Sequence, residues 1–195
     1  QFRARYPAVT FQLWEGETKR VIELINEGSV EIGMVRHPFD MTLYDSLRLP
    51  NEPLVVALHR NRRKTWAGNH EVIGLGELAG KPLMIHRKYE PTIREHAEKS
   101  GFKPDLVCMS DDVMSILTWA DADIGVAIVP RAAIGLIPSV NLEYLTIVDP
   151  CLETTAAVIW LKKRILTAAA RNFLRMFSSI HLNDNKSVSN KTQKG

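Results

Sequence analysis

The chain has 195 residues, 45% of them apolar and 24% charged, with a formal net charge of +3 at pH 7. That supports one large domain or two small lobes with ordinary cores, and no run approaches the roughly 20 apolar residues of a membrane span. The polar tail 182–195 holds Lys186, Lys191 and Lys194 against Asp184, which leaves the rest close to neutral and without a basic nucleic-acid surface.

Val9, Phe11 and Leu13 alternate with polar neighbours and predict a strand, which breaks at Glu15-Gly16. An amphipathic helix with Val21, Leu24 and Ile25 on one face then opens at Thr18 and closes at Gly28, and a second apolar run ends at Arg36. Strand, helix and strand of these lengths predict a βαβ unit, which places Thr18 and Arg36 at the ligand-binding edge of an open sheet. Leu47 and Leu49 finish a further strand. Asn51-Glu52-Pro53 is a hinge, and Leu54 to Leu58 reads as a strand buried on both faces.

Residues 60–70 read as a charged, Trp66-bearing excursion, followed by a short amphipathic segment near Leu75 and a strand from Pro82 to His86. A helix over about 91–100 has Pro91 in its first turn and Gly101 as its stop. A strand at Leu106-Val107-Cys108 leads into the capping cluster Ser110-Asp111-Asp112 and a helix carrying Val113, Ile116, Leu117 and Ala120, with Trp119 read as core. Gly125 to Val129 is a buried strand, Pro130 opens a short Ala-rich helix, Leu142 to Ile147 is a strand, and the chain turns at Asp149-Pro150. Residues 154–161 complete the first sheet. Leu166, Ala170, Phe173, Leu174 and Phe177 form one face of a terminal helix, and the tail 181–195 is expected to be disordered.

Several of these segments, in order, resemble the effector-binding domain of LysR-type transcriptional regulators. They are Tyr6-Pro7, Glu15-Gly16-Glu17-Thr18, Leu24 through Gly28, Val30 through Arg36, Asn51 through Ala57, Gly80-Lys81-Pro82-Leu83-Met84, Ala122 through Pro130, and Asp149-Pro150. The resemblance spans about residues 1 to 180 and lacks the family's N-terminal helix-turn-helix and its opening domain strand. It implies an α/β fold of two Rossmann-like lobes joined by two crossover strands, similar to type 2 periplasmic binding proteins. Lobe one is residues 1–51 and 153–180, and lobe two is 52–152.

The resemblance further implies a small effector, often an organic acid, bound between the lobes, with the threonine matching Thr18 among its contacts. It also implies a homodimer or tetramer paired through the helix 18–27 and a second-lobe helix such as 91–100, and DNA contact only through an N-terminal domain that this chain lacks. If the opening strand is missing, lobe one should be weakened. A cytoplasmic location goes with this reading, as does the reading of Cys108 and Cys151 as inert thiols.

The residues themselves leave alternatives open. Thr18 reads first as a helix cap, a role compatible with ligand binding because a helix start offers unpaired N–H groups to an anion. Arg36 at a strand's carboxyl end suits bidentate carboxylate recognition, or serves a surface salt bridge. Its neighbour His37 reads as an exposed turn residue. Thr92 is a further donor candidate or simple turn chemistry. On the other lobe Ser110 is the preferred ligand residue, with Asp111 as the cap. His59, His70, His86 and His96 fall on different elements without metal-ligand spacing, so no metal, cofactor or catalytic residue is expected. An exported solute-binding protein and a small-acid enzyme on the same scaffold are the rival readings; the enzyme requires an acid–base pair in the cleft.

Overall fold

The computed structural model describes residues 1–36, 39–66, 70–149 and 152–189. In chain order the helices are α1 (Phe2–Arg5), α2 (Thr18–Glu27), α3 (Arg60–Trp66), α4 (Glu90–Lys99), α5 (Val113–Asp121) and α6 (Ala168–Ser189). The strands are β1 (Gly33–Arg36), β2 (Tyr44–Arg48), β3 (Glu52–His59), β4 (Val72–Gly74), β5 (Pro82–His86), β6 (Asp105–Ser110), β7 (Val126–Pro130), β8 (Leu142–Asp149), β9 (Glu153–Thr154) and β10 (Ala156–Leu161). They form two compact units, one of residues 1–51 with 155–195, the other of residues 52–154.

The second unit is a mixed sheet in the order β4-β8-β3-β7-β5-β6, with β9 beside the start of β3. Its apolar strands are continuous in sequence because both faces are covered. Alternate residues Leu54, Val56 and Leu58 of β3 enter one core with Leu83, Ile85 and Ile128, whereas Val55 and Ala57 enter another with Met84, Ala127, Val129 and α5. The chain passes parallel through β5, β6 and β7, so the carboxyl ends of these strands share one edge.

In the first unit β10 lies between β1 and β2, antiparallel to both. Helix α2 covers one face of this sheet, with Val21 and Ile25 against Val35, Tyr44, Ala157 and Ile159. It ends at Gly28, whose φ of +83° is a left-handed conformation that glycine adopts without strain. Gly33 permits the close approach of α2: a Cβ there would stand 2.6 Å from Val21 Cγ1 and 2.7 Å from Ile25 Cδ1. Both obstacles are side-chain ends that can yield, so Gly33→Ala is expected to cost about 1–2 kcal/mol in urea unfolding, and an unchanged midpoint would refute the tight packing. Helix α6 buries Leu166, just before its start, and Ala170. Its Phe173 meets Phe2 at 5.5 Å and Phe11 at 6.1 Å between ring centroids, tying the first residues to the helix.

Five sequence expectations need correction. Val9 to Glu17 form no strand, and no βαβ crossover opens the chain. Among the described residues β10 is the only ladder partner of β1. Val9 to Leu13 thus find no strand to pair with, the Val9 N–H donating instead to the Tyr6 carbonyl at 3.1 Å, and Leu13 stays 87% exposed. Residues 60–66 are helical rather than irregular. The last helix continues through the expected disordered tail to Ser189, since no Gly or Pro interrupts 168–189; residues 190–195 lie outside the described residues. Trp119, expected in the core, is 45% exposed, because α5 is apolar nearly all round and buries Ile116, Leu117 and Ala120 instead. The expected helix after Pro130 is a single 3-10 turn, Arg131–Ala133.

Candidate functional site

Thr18 and Arg36, eighteen residues apart, meet in the first unit. Thr18 is the first helical residue and not the cap; Glu17 precedes the helix and makes no side-chain cap bond. The Thr18 hydroxyl instead accepts the Arg36 N–H and donates to the Arg36 carbonyl, both at 3.3 Å. This ties the amino end of α2 to the carboxyl end of β1. The first-turn N–H groups of a helix have no acceptor within it and carry its positive end. The half-buried Arg36 is therefore anchored through its backbone beside a helix start. Its neighbour His37 lies outside the described residues.

In the second unit, the parallel strands β5 and β6 end side by side at His86 and Ser110, which are in register. Ser110 Oγ accepts the Asp112 N–H at 3.1 Å. The cap of α5 is Asp112 and not Asp111: its carboxylate accepts the N–H groups of Met114 and Ser115, each at 3.0 Å, and the Ser115 hydroxyl at 2.6 Å. Asp111 turns to Arg87 at 3.1 Å. Neither acid is thus an idle negative charge beside Ser110. Thr92 is half-buried in the first turn of α4, and its carbonyl accepts the His96 Nδ1–H at 2.8 Å. A 3-10 turn, Arg87–Tyr89, runs directly into α4, so this helix lacks an open start like that of α2.

His86 was weighed in the sequence only as a metal ligand. It is 7% exposed, its Nδ1 accepts the Lys88 N–H at 3.2 Å, and its ring packs on Tyr89. Because Nδ1 is an acceptor, the neutral ring carries its proton on Nε2. The same strand-end rule that singled out Arg36 would have found His86 at the end of the run Leu83-Met84-Ile85.

The hydrogen bond from the Ser115 hydroxyl, followed by those from the Met114 and Ser115 N–H groups, holds the Asp112 carboxyl below its ordinary pKa. A folded-state pKa below the unfolded one contributes stability that is present above the unfolded value, and is lost as the pH falls through the folded one. Asp112→Ala is expected to cost about 1–2 kcal/mol at neutral pH, with the difference from the parent shrinking in acid. A deficit that stays constant from pH 7 to pH 2 would refute the capping role.

Among the described residues no group of three His, Cys, Asp or Glu side chains could hold a metal ion, and no helix is long and apolar enough to cross a membrane. Cys108 is a free thiol; Cys151 lies outside the described residues.

The family model for the LysR substrate binding domain matches residues 1–179. The chain belongs to that family. As a LysR substrate binding domain it is 30% identical over 177 residues to the uncharacterized HTH-type transcriptional regulator YwbI of Bacillus subtilis, covering 89% of this chain and 58% of that protein. It therefore spans a little over half the length of that regulator. Among solved structures it is similar to the effector-binding domain of QuiR in complex with shikimate, with a TM-score of 0.77 at 17% identity, covering 93% of this chain and 87% of that one. It is also similar to the BenM effector-binding domain with its effector benzoate, with a TM-score of 0.76 at 20% identity, covering 94% and 84%. The fold is that of these LysR domains, mixed α/β and of the type 2 periplasmic-binding-protein kind.

Proposed function

We propose that this LysR domain senses a small organic acid, with Thr18 and Arg36 in the first unit and Thr92 and Ser110 in the second as its candidate contacts. The observation that carries the reading is the Thr18–Arg36 tie, which anchors the Arg36 backbone beside a helix start. A carboxylate there gains a charge-assisted bond and the helix's positive end together. The small molecules named with QuiR and BenM are both carboxylic acids, which supports the same class.

The domain changes an output without chemistry. A ligand that prefers one of two arrangements of an oligomer shifts the population toward it, and the intact regulator, cytoplasmic and bound to DNA through an N-terminal helix-turn-helix, reports the shift at a promoter. The domain itself forms a homodimer, a larger assembly arising in the whole protein. Neither α2 nor α4 shows an exposed large apolar side chain, so an interface through those helices is polar.

The test is thermal unfolding of this chain with benzoate and with shikimate. A ligand at a hundred times its dissociation constant stabilises by about 2.7 kcal/mol, and Arg36→Ala is expected to weaken binding tenfold or more. A carboxylate that stabilises the parent and the Arg36→Ala variant equally would remove Arg36 from the site. Preferential stabilisation by neutral analogues would overturn the acid class.

A further inference from the structure

The geometry points to a second ligand site in the first unit, a groove that takes an apolar monocarboxylate and is separate from Arg36. It is open to solvent on one side, has a volume of 560 Å³, and is lined by Trp160, Leu166, Arg171, Leu174, Arg175 and Ser178 among others. Ladder register sets it apart from the proposed effector residues. Arg36 lies opposite Ala156, Gly33 lies opposite Ile159, and Trp160 comes next, so Trp160 is four residues along β10 from the partner of Arg36. That is about 13 Å at the rise of a strand. Successive strand residues face opposite ways: Ile159 packs with α2, and Trp160 is turned to the other face, where α6 runs.

The lining has the make-up of a site for an amphiphile. Leu166, Leu174 and the Trp160 ring supply apolar walls, and Arg171, Leu174, Arg175 and Ser178 follow one another along α6 at helical spacing. Two guanidiniums one turn apart are a concentrated positive charge. Arg171 donates to the Leu166 carbonyl and Arg175 to the Asn172 amide oxygen at 3.4 Å, and among the described residues neither has a carboxylate partner. Their charge thus lies beside an apolar wall with no carboxylate in reach among the described residues. The complement is a hydrocarbon or aromatic body carrying one carboxylate, which either arginine grips bidentately. The volume lies in the range of small-molecule pockets, roughly 300–1,000 Å³.

The probe is 2-naphthoate, titrated into the 15N-labelled chain while the four tryptophan indole N–H signals are followed, with Trp160 identified by its loss in Trp160→Phe. The Trp160 signal is expected to shift saturably. In Arg171→Gln/Arg175→Gln the apparent dissociation constant should rise at least tenfold, and in Leu174→Glu the response should vanish. Melting of the double variant, followed beside the parent's, separates a lost response that reports binding from one that reports unfolding; both arginines are exposed. Arg36→Ala should leave the Trp160 response intact, which separates this site from the one proposed above. A silent Trp160, an equal response to uncharged 2-naphthalenemethanol, an unchanged affinity in the double variant, or a response abolished by Arg36→Ala would each overturn the proposal.

Discussion

Gly125→Ala is expected to destabilise the second unit by about 3 kcal/mol, the upper end of what overpacking a well-filled site costs. A Cβ at Gly125 would stand 2.7 Å from the Pro82 carbonyl oxygen and 3.1 Å from Met84 Cγ. The first of these is backbone, and Pro82 opens β5, which is in register with β6 on one side and β7 on the other. Moving that oxygen disturbs two parallel ladders at once, whereas the side chains facing Gly33 can rotate. In a chain of this size 3 kcal/mol corresponds to a melting temperature lower by roughly 6–12 °C. A loss below that of Gly33→Ala would show that the close approach relaxes freely.

Ile128→Ala is expected to cost about 3–4 kcal/mol, within the usual span for truncating a buried aliphatic residue. Ile128 is wholly buried at the centre of β7, opposite Val56 of β3 and Ile85 of β5. Its neighbours are strand residues held by ladders on both sides, so the space cannot close by a helix sliding inward and the cavity persists. Ile128→Val, which removes one methylene, should cost about 1 kcal/mol by the same measure. A loss below 1.5 kcal/mol for Ile128→Ala in urea unfolding would mean that the core collapses around the gap.

Periodicity made much of this fold readable. The continuous run Leu54–Leu58 announced a strand covered on both faces, and Val21, Leu24 and Ile25 with Gly28 marked α2 and its stop. Partnership across long sequence distances was not readable. Val9, Phe11 and Leu13 alternate as a strand should, yet alternation cannot supply the neighbour that a ladder requires. Helix α3 escaped notice because its sequence, Arg-Asn-Arg-Arg-Lys-Thr-Trp, shows no apolar face. It is fixed by the pairing of Arg62 with Asp123 and of Arg63 with Glu143, and by Trp66 lying between Arg62 and Lys81.

The candidate residues show the same division. Thr18 and Arg36 were singled out by their places at a helix start and a strand end, and the structure joins them, but through the Arg36 backbone and not through a cap. Ser110-Asp111-Asp112 offered two acids for one capping position. Which of them serves depends on where β6 stops, and that in turn depends on its pairing with β5. Asp112 takes the cap and leaves Asp111 to Arg87.

The position of β10 has a consequence for synthesis. It is the central strand of the first unit's sheet, yet it follows β2 only after the whole of the second unit has been made. At about 5–20 residues per second, β1 and β2 wait several seconds on the ribosome with no strand between them. The interposed unit, by contrast, has all its strands in hand before β10 is translated. The nascent domain is therefore most exposed to aggregation and to chaperone capture in the segment that holds β1 and β2. Slowing translation within the stretch that encodes residues 52–154 would lengthen that exposure, whereas the same delay after Leu161 would come once all three strands are present.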